Sequence, residues 1–207
     1  MAKLTKLNQL EPLKVTCTSS DCDNDLHCFK ATRQMKAADE IGQCRSCGME
    51  LVDWARIHQQ DLSDAEYTFE ALKKEMIRHH FWHVEIDQKA INYAKRKGIA
   101  GLELAVPKRI RSSVGAGGNP YDGRQTPMEG SGNPIHYAQH ATASCCRKCM
   151  EYWHDIPQKM DLDEEQVNYL SKLVMMYVRD RLPDLEYEGV HVPPIRKKKP
   201  RKRKKTL

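Results

Sequence analysis

The residues best suited to chemistry in this 207-residue chain are its eight cysteines, which fall into two separate sets. Five lie between residues 15 and 52, and three lie between residues 145 and 149. In a reducing compartment such close spacing indicates metal binding or thiol chemistry rather than disulfides. Cysteine sulfur and histidine nitrogen are ligands that zinc prefers. The sequence therefore predicts zinc as the cofactor, with one ion at the first set and a second at the other.

The first set predicts a structural zinc site. Cys44 and Cys47 have the two-residue gap of a zinc knuckle, and Gly48 permits the tight turn that follows. Cys28 competes for one of the upstream places, and His27 is a weaker candidate. The alternatives are scattered buried cysteines or a redox thiol pair. Four filled positions leave no place for water or substrate, so the site would be structural. The predicted ligands are Cys17, Cys22, Cys44 and Cys47.

The second set predicts a metal site of two cysteines and two histidines. Cys146 and Cys149 have the two-residue gap of a metal pair, and histidines flank them. On one straight helix, at about 100° per residue, His140 would lie opposite Cys149, so a shared ion requires a break near Ser144. The alternatives are a buried packing helix and a reactive thiol. The predicted ligands are His140, Cys146, Cys149 and His154.

An open coordination position at the second set would permit catalysis, because a metal-bound water can become a nucleophile. A metal-dependent hydrolase or nuclease therefore stays an alternative function. The zinc deaminase pattern is absent, since His140 is followed by Ala-Thr and Ser144 precedes the cysteines. The sequence leaves open whether the protein is an enzyme.

The end of the chain is a basic tail. Residues 196–205 hold nine basic residues in ten, and the rest of the chain has 25 basic against 28 acidic residues, a net charge of −3. Such a run attracts phosphate backbones through counterion release, so DNA or RNA is the predicted partner. A solvated end, or binding to acidic protein or lipid, is the alternative. The predicted nucleic-acid-binding residues are Arg196, Lys197, Lys198, Lys199, Arg201, Lys202, Arg203, Lys204 and Lys205.

Helices are predicted over residues 64–80, 87–97 and 163–181. Ser63 is the expected N-cap of the first, Gly98 the left-handed residue after the second, and Asp163 with Gln166 the cap of the third. Residues 107–134 contain six glycines and four prolines, which predicts one long loop. The expected fold class is α+β, a mostly helical domain with a short N-terminal module resembling a zinc ribbon.

Four regions are predicted along the chain: an N-terminal segment (1–14), a zinc-ribbon-like module (15–60), a helical domain (61–190) and a disordered basic tail (191–207). No apolar run approaches the ~20 residues of a membrane-spanning helix. The start, MAKLTKLNQL, lacks the apolar stretch of a secretory signal. We therefore expect a cytoplasmic protein, with association with the nucleoid as an alternative location.

Residues 122–157, at the centre of the chain, read DGRQTPMEGSGNPIHYAQHATASCCRKCMEYWHDIP. This stretch resembles a family of small, mostly bacterial and phage proteins, known as domain of unknown function 4186. The family core reads approximately DGKQTPM, then AQHATATCCRxC, then WHxIP. The resemblance covers about residues 79–181 and departs from the pattern at Arg124, at Ser144 and by two extra residues near Gly130.

The resemblance implies one shared site and no particular reaction. The cysteine-rich module and the basic tail lie outside it. Beyond the four proposed ligands, the residues that it places in this site, as a further shell or a ligand loop, are Asp122, Gln125, Thr126, Cys145, Arg147 and Trp153. The function that the whole sequence favours is a zinc-binding protein that associates with nucleic acid in a binding or adaptor role. A structural protein-interaction module is a third alternative.

Overall fold

The computed structural model describes residues 15–118, 130–193 and 195. Eight α-helices and two single-turn 3-10 segments, Cys22–Asn24 and Leu62–Asp64, organise these residues. In chain order the helices are α1 (Arg33–Ala37), α2 (Trp54–His58), α3 (Ala65–Lys73), α4 (Met76–His83), α5 (Gln88–Val114), α6 (Pro134–Ala141), α7 (Arg147–His154) and α8 (Glu164–Arg181).

The expected α+β class is wrong for the described part of the chain, which is helical and contains no sheet. Its only β pairing consists of two isolated bridges, Asp21 with Leu26 and His27 with Glu75. The first bridge closes a turn, with backbone N–H···O distances of 2.7 and 3.0 Å. This isolated bridge does not extend into a zinc ribbon, because the chain reverses its direction between Asp21 and Leu26.

The first predicted helix is broken in two. Glu75 adopts an extended conformation (φ −85°, ψ 124°) between α3 and α4. The gap is held by the backbone of His27, whose amide donates to the Lys74 carbonyl at 2.8 Å and whose carbonyl accepts from the Met76 amide at 2.9 Å. The expected cap at Ser63 is also wrong, because α3 begins after a 3-10 turn capped by Asp61.

The second predicted helix stops at Gly98 as expected, and then a further helix follows at once. Gly98 has φ 63° and ψ 179°, and a Cβ there would lie 2.4 Å from the Glu188 carbonyl carbon. The amides freed at this kink donate to the Glu186 and Tyr187 carbonyls at 3.0 and 2.9 Å. Because α5 continues to Val114, the predicted loop is wrong for residues 107–114.

The third predicted helix is confirmed as α8. The Asp163 side chain accepts from the Gln166 amide, and the Gln166 side chain reaches back to the Asp163 amide. Its buried stripe, which includes Leu170, Val174 and Val178, packs against α3, α5 and α6. No helix in the described ranges has the length and apolar character needed to cross a membrane.

An apolar cluster joins the cysteine-rich segment (residues 15–60) to the helices that follow it. Phe29 and Ile57 from that segment pack with Leu72 of α3 and Trp153 of α7, together with the sulfurs of the second cysteine set. Trp153 is fully buried, with ring centroids 5.9 Å from Phe29 and 5.1 Å from Trp54. The division at residue 60 stays a prediction, and the two predicted regions share this core.

Candidate metal centres

Three cysteines of the first set and one neighbouring histidine converge on one point. One ligand atom from each of Cys22, His27, Cys44 and Cys47 lies within 4.8 Å of the others. The Cys22 and Cys44 sulfurs are 3.8 Å apart, and the Cys47 sulfur is 3.5 Å from His27 Nδ1. Zn–S and Zn–N bonds of ~2.3 and ~2.1 Å give tetrahedral edges of about 3.8 and about 3.6 Å. The spacing is therefore that of a mononuclear tetrahedral site.

Two tight turns position these ligands. The Gly48 amide donates to the Cys44 carbonyl at 2.8 Å, and Gly48 has a φ of 73°, as the zinc knuckle predicts. On the other side, the bridge between Asp21 and Leu26 closes a turn that contains Cys22, and His27 follows it directly. Both side chains therefore lie near the knuckle.

His27 is oriented by a carboxylate. Its Nε2 donates to Asp25 Oδ1 at 3.0 Å, which leaves the Nδ1 lone pair directed at the sulfurs. Metal-bound histidines commonly donate their second ring N–H in this way, which fixes the tautomer and raises the basicity of the ligating nitrogen. His27 is buried and Asp25 is exposed.

The thiols of this group are unevenly ionised without a cation. Burial raises the pKa of Cys44, but backbone amides of Cys28, Cys47 and Ser46 outweigh it and lower the pKa to about 6. Burial, then hydrogen bonding to Cys47 and Cys44, raises the pKa of Cys22 to about 12. A bound cation would allow all three sulfurs to be thiolates together.

Cys17 lies outside this group, and His27 stands in the place predicted for it. The Cys17 carbonyl accepts from the Cys28 sulfur at 3.5 Å. Burial raises the pKa of the Cys17 thiol, which also lies near enough to Arg78 and Cys149 to feel their charges. Cys28, the alternative ligand, is buried outside the group as well.

The second set brings together three buried sulfurs, those of Cys145, Cys146 and Cys149. The Cys149 sulfur lies 3.8 Å from Cys145 Sγ and 3.5 Å from Cys146 Sγ, again close to the edges of a zinc tetrahedron. The break required by the sequence argument is present, because α6 ends at Ala141 and α7 begins at Arg147. Among the described residues this group supplies three protein ligands.

A buried ion pair borders these sulfurs. Arg78 donates to Cys149 Sγ at 3.2 Å, to the His140 carbonyl at 2.6 Å and to Glu75 Oε2 at 3.0 Å. The same carboxylate oxygen accepts from Trp153 Nε1 at 2.7 Å. Arg78 and Glu75 are at most 1% exposed. Neither residue could be predicted from the sequence, because the pair stands in a polar stretch between Lys73-Lys74 and His79-His80.

The surroundings of the three sulfurs favour ionisation of Cys149. Hydrogen bonds from Cys145 and Cys146 and the positive charge of Arg78 overcome burial and hold the pKa of Cys149 well below its ordinary value. Hydrogen bonding to its neighbours and burial raise the pKa of Cys145. Cys149 is therefore the sulfur of this group that ionises most easily for binding a cation, and the Arg78 guanidinium lies beside it.

The two histidines predicted as ligands lie outside this sulfur group. His154 Nε2 donates to the Thr142 carbonyl at 3.0 Å, and the ring packs edge-on against Tyr169. The His140 ring lies 4.7 Å from the Phe81 ring. Both imidazoles are buried, and neither belongs to the group of ligand atoms that the three sulfurs form.

The remaining predicted site residues have separate places. Arg147 is buried and donates to the carbonyls of Val114, Pro157 and Met160, so it braces the loops around α7. Trp153 binds the carboxylate of the buried ion pair. Asp122, Gln125 and Thr126 lie outside the described residues, as do all nine basic residues of the tail.

A helical domain with two cysteine-lined candidate metal centres, the second of them buried, defines the class of this protein. The family described as Domain of unknown function (DUF4186) matches residues 66–179. The chain belongs to this family, and the expectation from residues 122–157 is confirmed. The match contains the second centre and excludes the first. No solved structure matches the chain.

The buried imidazole of His154 should make the protein less stable in acid. Burial lowers its pKa from 6.5 to about 4, so the unfolded chain takes up a proton more readily than the folded chain between these values. The contribution is zero above pH ~6.5, and as the pH falls toward ~4 the unfolding free energy should drop by up to ~3 kcal/mol. Urea unfolding from pH 7 to pH 4.5 would measure this slope.

The control is His154→Gln, which keeps an N–H for the Thr142 carbonyl and does not titrate. Protonation of the cysteine ligands affects both proteins alike, so the difference between their slopes reports His154. Equal slopes would contradict the prediction.

Proposed function

We propose that the protein is a zinc-stabilised protein that associates with nucleic acid in a binding or adaptor role. The observation that carries the zinc part is the first centre, where three sulfurs and one nitrogen lie within 4.8 Å of one another and two of their separations, 3.8 and 3.5 Å, match tetrahedral edges. Zinc fits this donor set because it binds thiolate and imidazole in closed tetrahedral sites. The carboxylate of Asp25 on the second ring nitrogen of His27 supports the same conclusion.

A second zinc at Cys145, Cys146 and Cys149 is supported by their spacing and by the neighbouring arginine. Three thiolates and one Zn²⁺ carry a net charge of −1, which is offset in part by Arg78, 3.2 Å from Cys149 Sγ and shared with Glu75. Burial of such a centre without a compensating cation would be costly. The described residues leave the identity of its fourth ligand open.

The nucleic-acid part rests on the uneven charge of the chain. Residues 196–205 carry nine positive charges, while the rest of the chain has a net charge of −3. A phosphate backbone would be repelled weakly by the body and attracted strongly by the tail, so affinity would come from counterion release and would be insensitive to sequence. An adaptor role would also involve protein partners.

Neutralising the tail tests this proposal. We expect a protein with glutamine at all nine basic positions of residues 196–205 to lose most of its binding to duplex DNA and to duplex RNA. If about five charges engage phosphates, the slope of log K against log salt should be about −4 to −5 for the native chain and near zero for the variant. The measurement is a salt titration of both proteins, and equal binding would give the tail another partner.

A metal-dependent hydrolase is the second candidate, because the described residues supply only three ligands to the second centre. All three sulfurs are at most 7% exposed, however, which opposes access by water and substrate. Hydrolysis of nucleic acid by the zinc-loaded protein, abolished by Cys149→Ser, would favour the enzyme. A structural interaction module would show zinc without either activity.

A further inference from the structure

A groove runs along the junction between the cysteine-rich segment and the helical domain. Residues 29–42 form one wall, and α2 and α7 form the other. Its volume of about 600 Å³ lies within the range typical of ligand sites. It is separate from both candidate metal centres, whose ligands do not line it.

The groove contains an aromatic plane that is held rigidly. Trp54 is partly exposed there, and its Nε1 donates to the Gly42 carbonyl at 2.9 Å. A Cβ at Gly42 would lie 2.5 Å from the indole, so the close approach requires glycine. Behind the ring stand Phe29, edge-on at 5.7 Å, and Trp153 at 5.1 Å. Trp54 therefore presents a preorganised surface for stacking.

Two polar atoms at this groove have no hydrogen-bond partner among the described residues. They are His58 Nε2 and Tyr152 Oη, which are both buried and belong to residues that line the groove. A buried polar atom without a partner is costly, so a ligand that reached these two atoms from the groove would relieve that cost. Burial also lowers the pKa of His58, which favours a neutral ring able to donate or accept.

The rim of the groove is more positive than negative. Lys30, Lys36 and Lys148 are exposed on it. The opposing carboxylates are Asp155 and Glu151, of which Glu151 is already bonded to Gln158. Lysines around an aromatic plane are the arrangement by which proteins hold single strands, with bases stacked and phosphates near the cations.

We propose that this groove binds a nucleobase of single-stranded nucleic acid, stacked on Trp54, with its polar edge on His58 and Tyr152 and the flanking phosphates near the three lysines. The site rests on the proposed association with nucleic acid and adds a preference that the tail lacks. In a duplex the bases are stacked on one another, so only a single strand can place a base in the groove.

The test uses the full chain and the tail-neutralised protein, with glutamine at the nine basic positions of residues 196–205. Each is titrated with a labelled 12-nucleotide oligo-dT and with a duplex of equal length. We expect the tail-neutralised protein to keep a preference of about tenfold or more for the single strand. Trp54 is the most exposed of the three tryptophans, so its fluorescence should be quenched on binding.

Variants in the tail-neutralised background locate the site. Trp54→Ala should weaken single-strand binding by about 5- to 100-fold, in line with the loss of one stacked base. Trp54→Phe should keep most of the affinity and lose the quenching. Tyr152→Phe and Lys148→Glu, which leave the core intact, should each weaken binding several-fold. Lys172→Glu, an exposed change on α8, should not. Zinc content and urea unfolding confirm that each variant folds.

The outcomes separate this site from the tail. If the full chain binds and the tail-neutralised protein binds neither oligonucleotide, the groove proposal is overturned and the proposed function stands. If single-strand binding persists but ignores Tyr152→Phe and Lys148→Glu, the groove is again overturned. If neither protein binds any nucleic acid, both proposals fail. If single-strand binding depends on the groove residues and neutralising the tail has no effect, the groove proposal is supported and the proposed role of the tail is rejected.

Discussion

Replacing Cys44 and Cys47 together by serine is expected to remove one equivalent of zinc and to unfold the cysteine-rich segment. Structural zinc contributes on the order of 10 kcal/mol to the folding of small modules at pH 7. Residues 15–52 have little else to hold them, because Phe29, Met35 and Val52 are among their few buried apolar side chains outside the cysteines. Zinc analysis by mass spectrometry and limited proteolysis of the full chain would measure both effects.

Cys28→Ala is the matched control, since Cys28 is a buried cysteine of the same segment outside the ligand group. We expect this variant to keep its zinc and its resistance to protease at residues 15–52. A double variant at Cys44 and Cys47 with undiminished zinc would remove the first centre from consideration. An equal loss of zinc in Cys28→Ala would assign the ion to a different ligand set.

Features encoded by neighbouring residues could be predicted from the sequence. The cap of α8 depends on Asp163 and Gln166 alone. The zinc knuckle is likewise a local turn, closed by the amide of Gly48. Each of these could be found because its cause lies within four residues of its effect.

Features that depend on distant partners could not be predicted. The break at Glu75 is stabilised by His27, some fifty residues earlier in the chain. The choice of His27 over Cys17 depends on the turn between Asp21 and Leu26, which no spacing rule reveals. At the second centre, the sequence could not show that His154 binds the Thr142 carbonyl instead of facing the sulfurs.

Arg78→Met is expected to lower the unfolding free energy by about 3–5 kcal/mol, because it leaves the carboxylate of Glu75 buried and without its counter-charge. It also removes the donor to Cys149 Sγ and to the His140 carbonyl. We therefore expect weaker retention of metal at the second centre as well. Urea unfolding and the zinc content after dialysis against a chelator would measure these losses.

A double variant separates the lost charge from the lost packing. Glu75→Gln removes the uncompensated charge, and its amide oxygen can still accept from Trp153 Nε1. Arg78→Met combined with Glu75→Gln should thus be more stable than Arg78→Met alone. The matched control is Arg179→Met, which breaks an exposed ion pair with Glu103 and should cost about 1 kcal/mol or less. If Arg78→Met costs no more than Arg179→Met, the buried pair does not stabilise this fold, and its place beside the sulfurs would have to serve metal binding alone.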